Sequence, residues 1–201
     1  MNLDLFSVPF FIGNIDLKRI KLEAKIGKAF TSRTPSSFSE KNFIDPESKN
    51  YLMSVIAELL GEKYKYFGIT LIELWRNKYL DNDFQEPHIH VNSKFSFIIF
   101  EEVGGDTPHT IFYNPAKYLI SSTLGDGQDC VLKQFRPQMK SGQIIVFPSY
   151  VEHMVNRNSD QVTISGNIDF KHTELQQYEN EETWVKKDNG MKAAVHNGDT
   201  F

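Results

Sequence analysis

The chain has 201 residues, 40% hydrophobic and 24% charged, with 16 Phe and 8 Tyr, a balance that suits one folded domain and excludes a disordered chain. A formal charge of −4 leaves no basic excess for phosphate backbones, so nucleic acid is not an expected partner. No apolar run is long enough to cross a membrane, and the single cysteine, Cys130, rules out an intrachain disulfide and suits a reducing compartment, with the cytoplasm as the expected location.

The opening stretch LFSVPFFIGNI, interrupted by Pro9, lacks the basic start and cleavage site of an export signal and reads as an N-terminal strand or packing segment. From Asp16 to Phe30, apolar residues recur among lysines and predict an amphipathic helix with Asp16 as its cap. Residues 31–48 are rich in Ser, Thr and Pro and predict a loop. A second helix follows, with Asp45 as N-cap, Pro46 in the first turn and Gly61 just past the last periodic residue.

After Gly61 the texture becomes β-branched and aromatic. Strands are predicted within residues 64–80, 93–102, 109–114, 143–155 and 161–170, separated by Gly, Asn, Asp and Pro clusters. Many short strands with turns between them indicate a sandwich or barrel. In the last strand Val162, Ile164, Gly166 and Ile168 share one face, and Gln161, Thr163, Ser165 and Asn167 share the other, so one wall is packed and one polar. The fold class is therefore mainly β with N-terminal helices, in a single domain. Residues 1–62 supply an N-terminal strand and helical support, 63–170 form the β core, and 171–201 make a polar tail.

Six histidines are present, and two of them, His88 and His90, stand one residue apart in EPHIHVNSKFSFIIFEE. In an extended strand they would project from one face roughly 7 Å apart and hold one metal ion between them. A third ligand must come from elsewhere in the chain, and His153 in GQIIVFPSYVEHMV offers it. Nitrogen ligands with open positions suit Fe(II). His109, His172 and His196 stand singly and read as ordinary hydrogen-bonded residues. Phe95, Phe97, Phe147 and Tyr150 are candidates for dry walls around the site.

The order PHIHVNSKFS, then Asn114-Pro115, then FRPQMKSGQIIVFPSYVEHMV and VTISGNID resembles the 2-oxoglutarate/Fe(II)-dependent oxygenase family over roughly Leu71 to Asp169. That resemblance implies a double-stranded β-helix, a jelly-roll and cupin-like fold. It implies Fe(II) and 2-oxoglutarate as cofactors, O2 as a reactant, and a small-molecule or protein side-chain substrate whose C–H oxidation is coupled to oxidative decarboxylation of 2-oxoglutarate. His88, His90 and His153 become the metal-ligand and catalytic candidates, with His90 in the place that a carboxylate takes in the wider superfamily. A three-histidine site, or a two-histidine site with His90 or Asn92 behind it, stays open at this point.

The family's Arg-x-Ser near the start of the last strand, which grips the distal carboxylate of 2-oxoglutarate, is replaced here by Gln161 and Thr163. A glutamine offers only a neutral donor pair in place of a bidentate cation. Arg157, Lys94 and Arg136 are the cations that could stand in. Two other readings compete: a three-histidine, cupin-like iron dioxygenase that needs no 2-oxoglutarate, and a binding module that has kept the fold and lost the chemistry. Substrate choice is expected to lie in the loops Gly104–Pro108 and Ser121–Asp129.

Overall fold

The computed structural model describes residues 8–23, 36–39, 44–64, 67–79, 83–104, 110–118, 133–157 and 161–172. Ten strands and one α-helix organise them: β1 (Phe11–Asn14), β2 (Ser36–Ser39), α1 (Pro46–Leu60), β3 (Phe67–Tyr79), β4 (Gln85–His88), β5 (Phe95–Glu102), β6 (Thr110–Tyr113), β7 (Gln134–Phe135), β8 (Gln143–Pro148), β9 (His153–Val155) and β10 (Gln161–His172). A six-stranded sheet runs β1-β8-β5-β10-β3-β2 and a four-stranded sheet runs β4-β9-β6-β7, with every pairing antiparallel. This is one of the two architectures, sandwich or barrel, that the strand pattern predicts, and the jelly roll that the family resemblance implies.

Alternation along the central strands builds two cores. Phe95, Phe97 and Ile99 of β5, Ile144 and Val146 of β8, and Ile164 and Ile168 of β10 pack outward with Leu52, Ile56 and Leu60 of α1. Their neighbours Ile98, Phe100, Ile145 and Phe147 point the other way, into the sandwich, and meet Phe112 and Val151. The long apolar runs of β5 and β8 are therefore buried on both faces, which explains why those strands do not alternate with polar residues.

Helix α1 forms as its punctuation predicts. Asp45 accepts hydrogen bonds from the backbone N–H of Glu47 and Ser48, both at 3.0 Å, Pro46 stands in the first turn, and Gly61 ends the helix at φ 61°. The first predicted helix is corrected. Only Leu17–Arg19 coils, as a single 3-10 turn capped by Asp16, and the chain is extended again at Ile20, while Leu22 bridges to Ile44; residues 24–30 lie outside the described residues. Its apolar residues Leu17, Ile20 and Leu22 pack against the α1 core. The stretch read as a loop also contributes a strand, β2, which adds to the edge of β3.

The pairing of β10 with β3 carries one irregularity. Asn167 pairs with Glu73 but Ile168 pairs with Leu71, so Ile72 is an extra residue on β3 and lies 44% exposed. This bulge reverses the alternation of β3. Glu73, Trp75, Asn77 and Tyr79 face into the sandwich, whereas Leu71 and Ile69 beyond the bulge pack with the α1 core.

Candidate active site

The three sequence-predicted histidines converge. Strands β4 and β9 are neighbours in the small sheet, and their ladder sets His88 directly opposite His153. His90 arrives by a different route from the one predicted. Strand β4 ends at His88, and His90 leaves the small sheet to donate its N–H to the Ser149 carbonyl at 3.0 Å. Asn92 then turns the chain with φ 63°, a left-handed conformation that asparagine tolerates better than most residues. The ring centroids lie 4.2 Å apart for His88 and His153, 5.1 Å for His88 and His90, and 5.1 Å for His90 and His153. One ring nitrogen from each falls within 4.8 Å of the others, the geometry of a metal-binding group among the described residues.

Each histidine is held from behind. Nδ1 of His88 lies 2.8 Å from the Glu86 carbonyl, and Nδ1 of His153 lies 3.0 Å from the Val151 carbonyl. A carbonyl only accepts, so Nδ1 carries the proton in both rings and Nε2 keeps its lone pair. Burial pushes the His88 pKa down, takes that of His90 to about 4, and holds that of His153 well below the usual histidine range, with the neighbouring imidazoles adding to the last two. Neutral imidazoles are the form that binds a metal.

His90 differs. Its Nε2 faces His153 Nε2 at 3.4 Å, and its Nδ1 faces the Asn167 amide nitrogen at 3.3 Å. That same amide nitrogen donates to Glu73, while the Asn167 amide oxygen accepts from Ser96 at 2.7 Å. Ser96 continues through Ser149 to Ser93, each step 2.8 Å. The serine and asparagine of the PHIHVNS, FPS and GNID stretches thus form one hydrogen-bonded belt behind His90. In this arrangement the lone pair of His90 Nδ1 faces the amide, so ligation through Nε2 calls for the other tautomer and a turned Asn167 amide.

A narrow hollow runs from the histidines between the sheets, with free space for about one water molecule. Gln161, Thr163 and Ser165 line it from β10, as the polar face of that strand predicts, and all are buried. Trp75, Asn77 and Tyr79 line it from β3, and Gln85 and Thr110 from the small sheet. Sequence reasoning missed these; the two-residue spacing of Glu73, Trp75, Asn77 and Tyr79 was the available signal. Phe147 helps to wall the hollow, whereas Phe97, which also borders it, packs with Phe95 on the α1 side, and Tyr150 is 57% exposed.

The cations are elsewhere. Lys94, Arg136 and Arg157 are exposed, none lines the hollow, and the Arg157 guanidinium stacks over Phe84 at 4.8 Å. No Lys or Arg is among its described lining residues. His109 and Ser121–Asp129 lie outside the described residues, as does all of Gly104–Pro108 beyond Gly104.

Residues 73–167, which hold all three histidines and the belt behind them, match the family model described as "Putative 2OG-Fe(II) oxygenase". Over this segment, just under half of its length, the chain is similar to the 2-oxoglutarate/Fe(II) oxygenase family. It is an oxygenase whose cofactors are Fe(II) and 2-oxoglutarate, with O2 as a reactant. Comparison with curated proteins gives no match.

Among solved structures, the oxygenase fold is shared with HygX from Streptomyces hygroscopicus, crystallised with nickel, 2-oxoglutarate and hygromycin B, at TM-score 0.54 and 9% identity over 81% of this chain and 83% of that one. It is shared also with a 2OG-Fe(II) oxygenase family oxidoreductase from Burkholderia pseudomallei, at TM-score 0.50 and 13% identity over 74% of this chain and 73% of that one. At these identities the likeness concerns the fold, a double-stranded β-helix. Among the described residues no helix is long and apolar enough to cross a membrane.

The donor set of this oxygenase fits a ferrous ion: three neutral imidazoles converge on one point at the mouth of the hollow.

Proposed function

We propose that His88, His90 and His153 hold the ferrous ion of this oxygenase, and that 2-oxoglutarate and the primary substrate reach it from the open side. The observation that carries this reading is the convergence of three ring nitrogens within 4.8 Å at the end of a polar-lined hollow. Bound there, iron and 2-oxoglutarate would activate O2, whose four-electron reduction is balanced by two electrons from oxidative decarboxylation of the 2-oxo acid to succinate and CO2 and two from the substrate C–H bond.

The chain's own residues do the positioning. The Glu86 and Val151 carbonyls fix two imidazoles with Nε2 outward, and the Asn167–Ser96–Ser149 belt orients the third. Ile98 and Phe147 keep the hollow dry. On the open side, the His90–Ser149 hydrogen bond brings Ile89 and Val91 alongside Tyr150, and all three are at least half exposed. That apolar rim supports a small molecule or protein side chain with an apolar flank as the primary substrate. The single cysteine supports a reducing, cytoplasmic setting.

Anaerobic titration of the Fe(II)-loaded protein with 2-oxoglutarate tests this reading. A weak visible charge-transfer band that grows and saturates is expected, because chelation of ferrous iron by a 2-oxo acid produces it. Stoichiometric iron with no band at any concentration would remove 2-oxoglutarate from the site and bring the three-histidine dioxygenase forward.

A further inference from the structure

Gln85 Nε2 lies 3.4 Å from His88 Nε2, the nitrogen that His88 offers to a metal. Because His88 carries its proton on Nδ1, toward the Glu86 carbonyl, its Nε2 holds a lone pair. The amide nitrogen of Gln85 is therefore the end that faces it, since a carbonyl oxygen there would set lone pair against lone pair. The other end of the amide is held more tightly. Gln85 Oε1 accepts from the buried Tyr79 hydroxyl at 2.7 Å, and burial pushes the Tyr79 pKa up so that it stays a neutral donor. A bond at 2.7 Å is stronger than one at 3.4 Å, so Tyr79 aims the amide and His88 receives it.

An imidazole nitrogen has one lone pair. It cannot serve Gln85 and a metal at once, so loading the site strips this N–H of its acceptor. Gln85 is 6% exposed, and a buried donor left without a partner costs free energy until it finds one. It lines the hollow together with the three histidines, and the free space there, about one water molecule, admits a single ligand atom but not a whole 2-oxo acid. An anionic ligand arriving beside His88 from the open side brings an acceptor atom to that space. With Oε1 engaged by Tyr79, the amide N–H is polarised into a better donor toward it.

We propose that Gln85, aimed by Tyr79, is a further ligand-binding residue of this oxygenase: its amide N–H caps the His88 lone pair in the metal-free protein and, once that lone pair is given to the metal, donates to the anionic ligand that enters beside His88. Metal loading thus prepares the donor that the next ligand uses. This inference rests on the iron site proposed above, and the test separates the two.

Co(II) affinity is measured first by calorimetry, and the Co(II)-loaded protein is then titrated with 2-oxoglutarate and, separately, with azide, reading heat and the cobalt visible spectrum. Azide has no carboxylate, so a loss shared by both ligands reports the position beside His88 and not a site for the tail of the 2-oxo acid. Gln85→Met, which keeps the bulk and removes the donor, should bind Co(II) several-fold more tightly, because the competing hydrogen bond is gone. It should bind both ligands about tenfold more weakly, the worth of one hydrogen bond to a charged group. Tyr79→Phe, which keeps the donor and removes its anchor, should lie between. If Gln85→Met fails to fold with the Tyr79 hydroxyl left unpaired, Tyr79→Phe combined with Gln85→Met removes both partners and carries the same expectations. Co(II) and ligand affinities that fall together would mean that Gln85 only supports the strand, and ligand affinities equal to those of the unaltered protein would mean that the freed N–H is satisfied within the hollow. Either result overturns the inference and leaves the metal site standing. An unaltered protein that binds no Co(II) overturns the site and the inference together.

Discussion

His88 and His153 are cross-strand partners on β4 and β9, with ring centroids 4.2 Å apart. Two of the proposed ligands thus come from adjacent strands of one small sheet, whose geometry is fixed by backbone hydrogen bonds as well as by side-chain packing. Replacing His153 by Ala should reduce iron stoichiometry in the purified protein to background while the urea midpoint of the metal-free protein moves little, because the ladder remains. His88→Ala should do the same. Iron at the level of the unaltered protein in either variant would show that the ion sits elsewhere.

The belt behind His90 makes a sharper prediction. Glu73 accepts from the Asn167 amide nitrogen and so holds that nitrogen against His90 Nδ1, the orientation that opposes ligation through Nε2. A glutamine at position 73 can donate as well as accept, and the Ser96 hydroxyl can reverse its role, so the Asn167 amide is free to turn. Glu73→Gln should therefore tighten metal binding several-fold, about the worth of one neutral hydrogen bond. Asn167→Ala, which also removes the amide oxygen that in its turned orientation would accept from His90 Nδ1–H, should weaken it by about 10–100-fold. Calorimetry with Co(II) reads both variants, and weaker binding by Glu73→Gln would contradict the assignment.

How much of this was legible in the sequence follows from which signals are local. The period-2 face of β10 announced the polar wall of the hollow, and the Asp45, Pro46 and Gly61 punctuation announced α1, because strand alternation and capping are nearest-neighbour physics. His88 and His90 were found by their spacing, but for a reason that changed: the strand ends between them, and a tertiary hydrogen bond to Ser149 brings the rings together. The helix expected from Asp16 failed because its apolar residues are drawn one by one against α1 and into the Leu22–Ile44 bridge, a packing demand that periodicity cannot see. Asn77 and Tyr79 share one face of β3 by their spacing, but only the β10–β3 register sets them beside Gln161 and Thr163, and only the closure of the two sheets brings Thr110 to the same hollow.

The cap of α1 is the simplest stability test. Asp45 satisfies two backbone N–H groups and also accepts from the Ser48 hydroxyl at 2.6 Å, and these bonds hold its carboxyl below the usual aspartate range. Asp45→Ala should lower the denaturant midpoint of unfolding, and Asp45→Asn should recover most of the loss. Equal stability of all three proteins would mean that tertiary packing alone sets the helix start.

Gly166 is a point of the large sheet where backbone leaves no room for a side chain. A Cβ there would come within 2.5 Å of the Phe97 ring and 2.6 Å of the Glu73 carbonyl, and the second neighbour is backbone that cannot step aside. Gly166 sits in the middle strand of the β5-β10-β3 ladder, one residue before Asn167 and opposite Leu74 and Phe97. Gly166→Ala should therefore destabilise the fold by about 1–3 kcal/mol, the usual cost of overpacking a core. The displacement it forces should reach the Asn167–Glu73 pair and loosen metal binding in the same variant. Serine in place of alanine should be at least as damaging, since it adds a hydroxyl to the same clash. A glycine-to-alanine variant as stable as the parent, judged by its denaturant midpoint, would require the β3 and β5 strands to stand further apart than they do here.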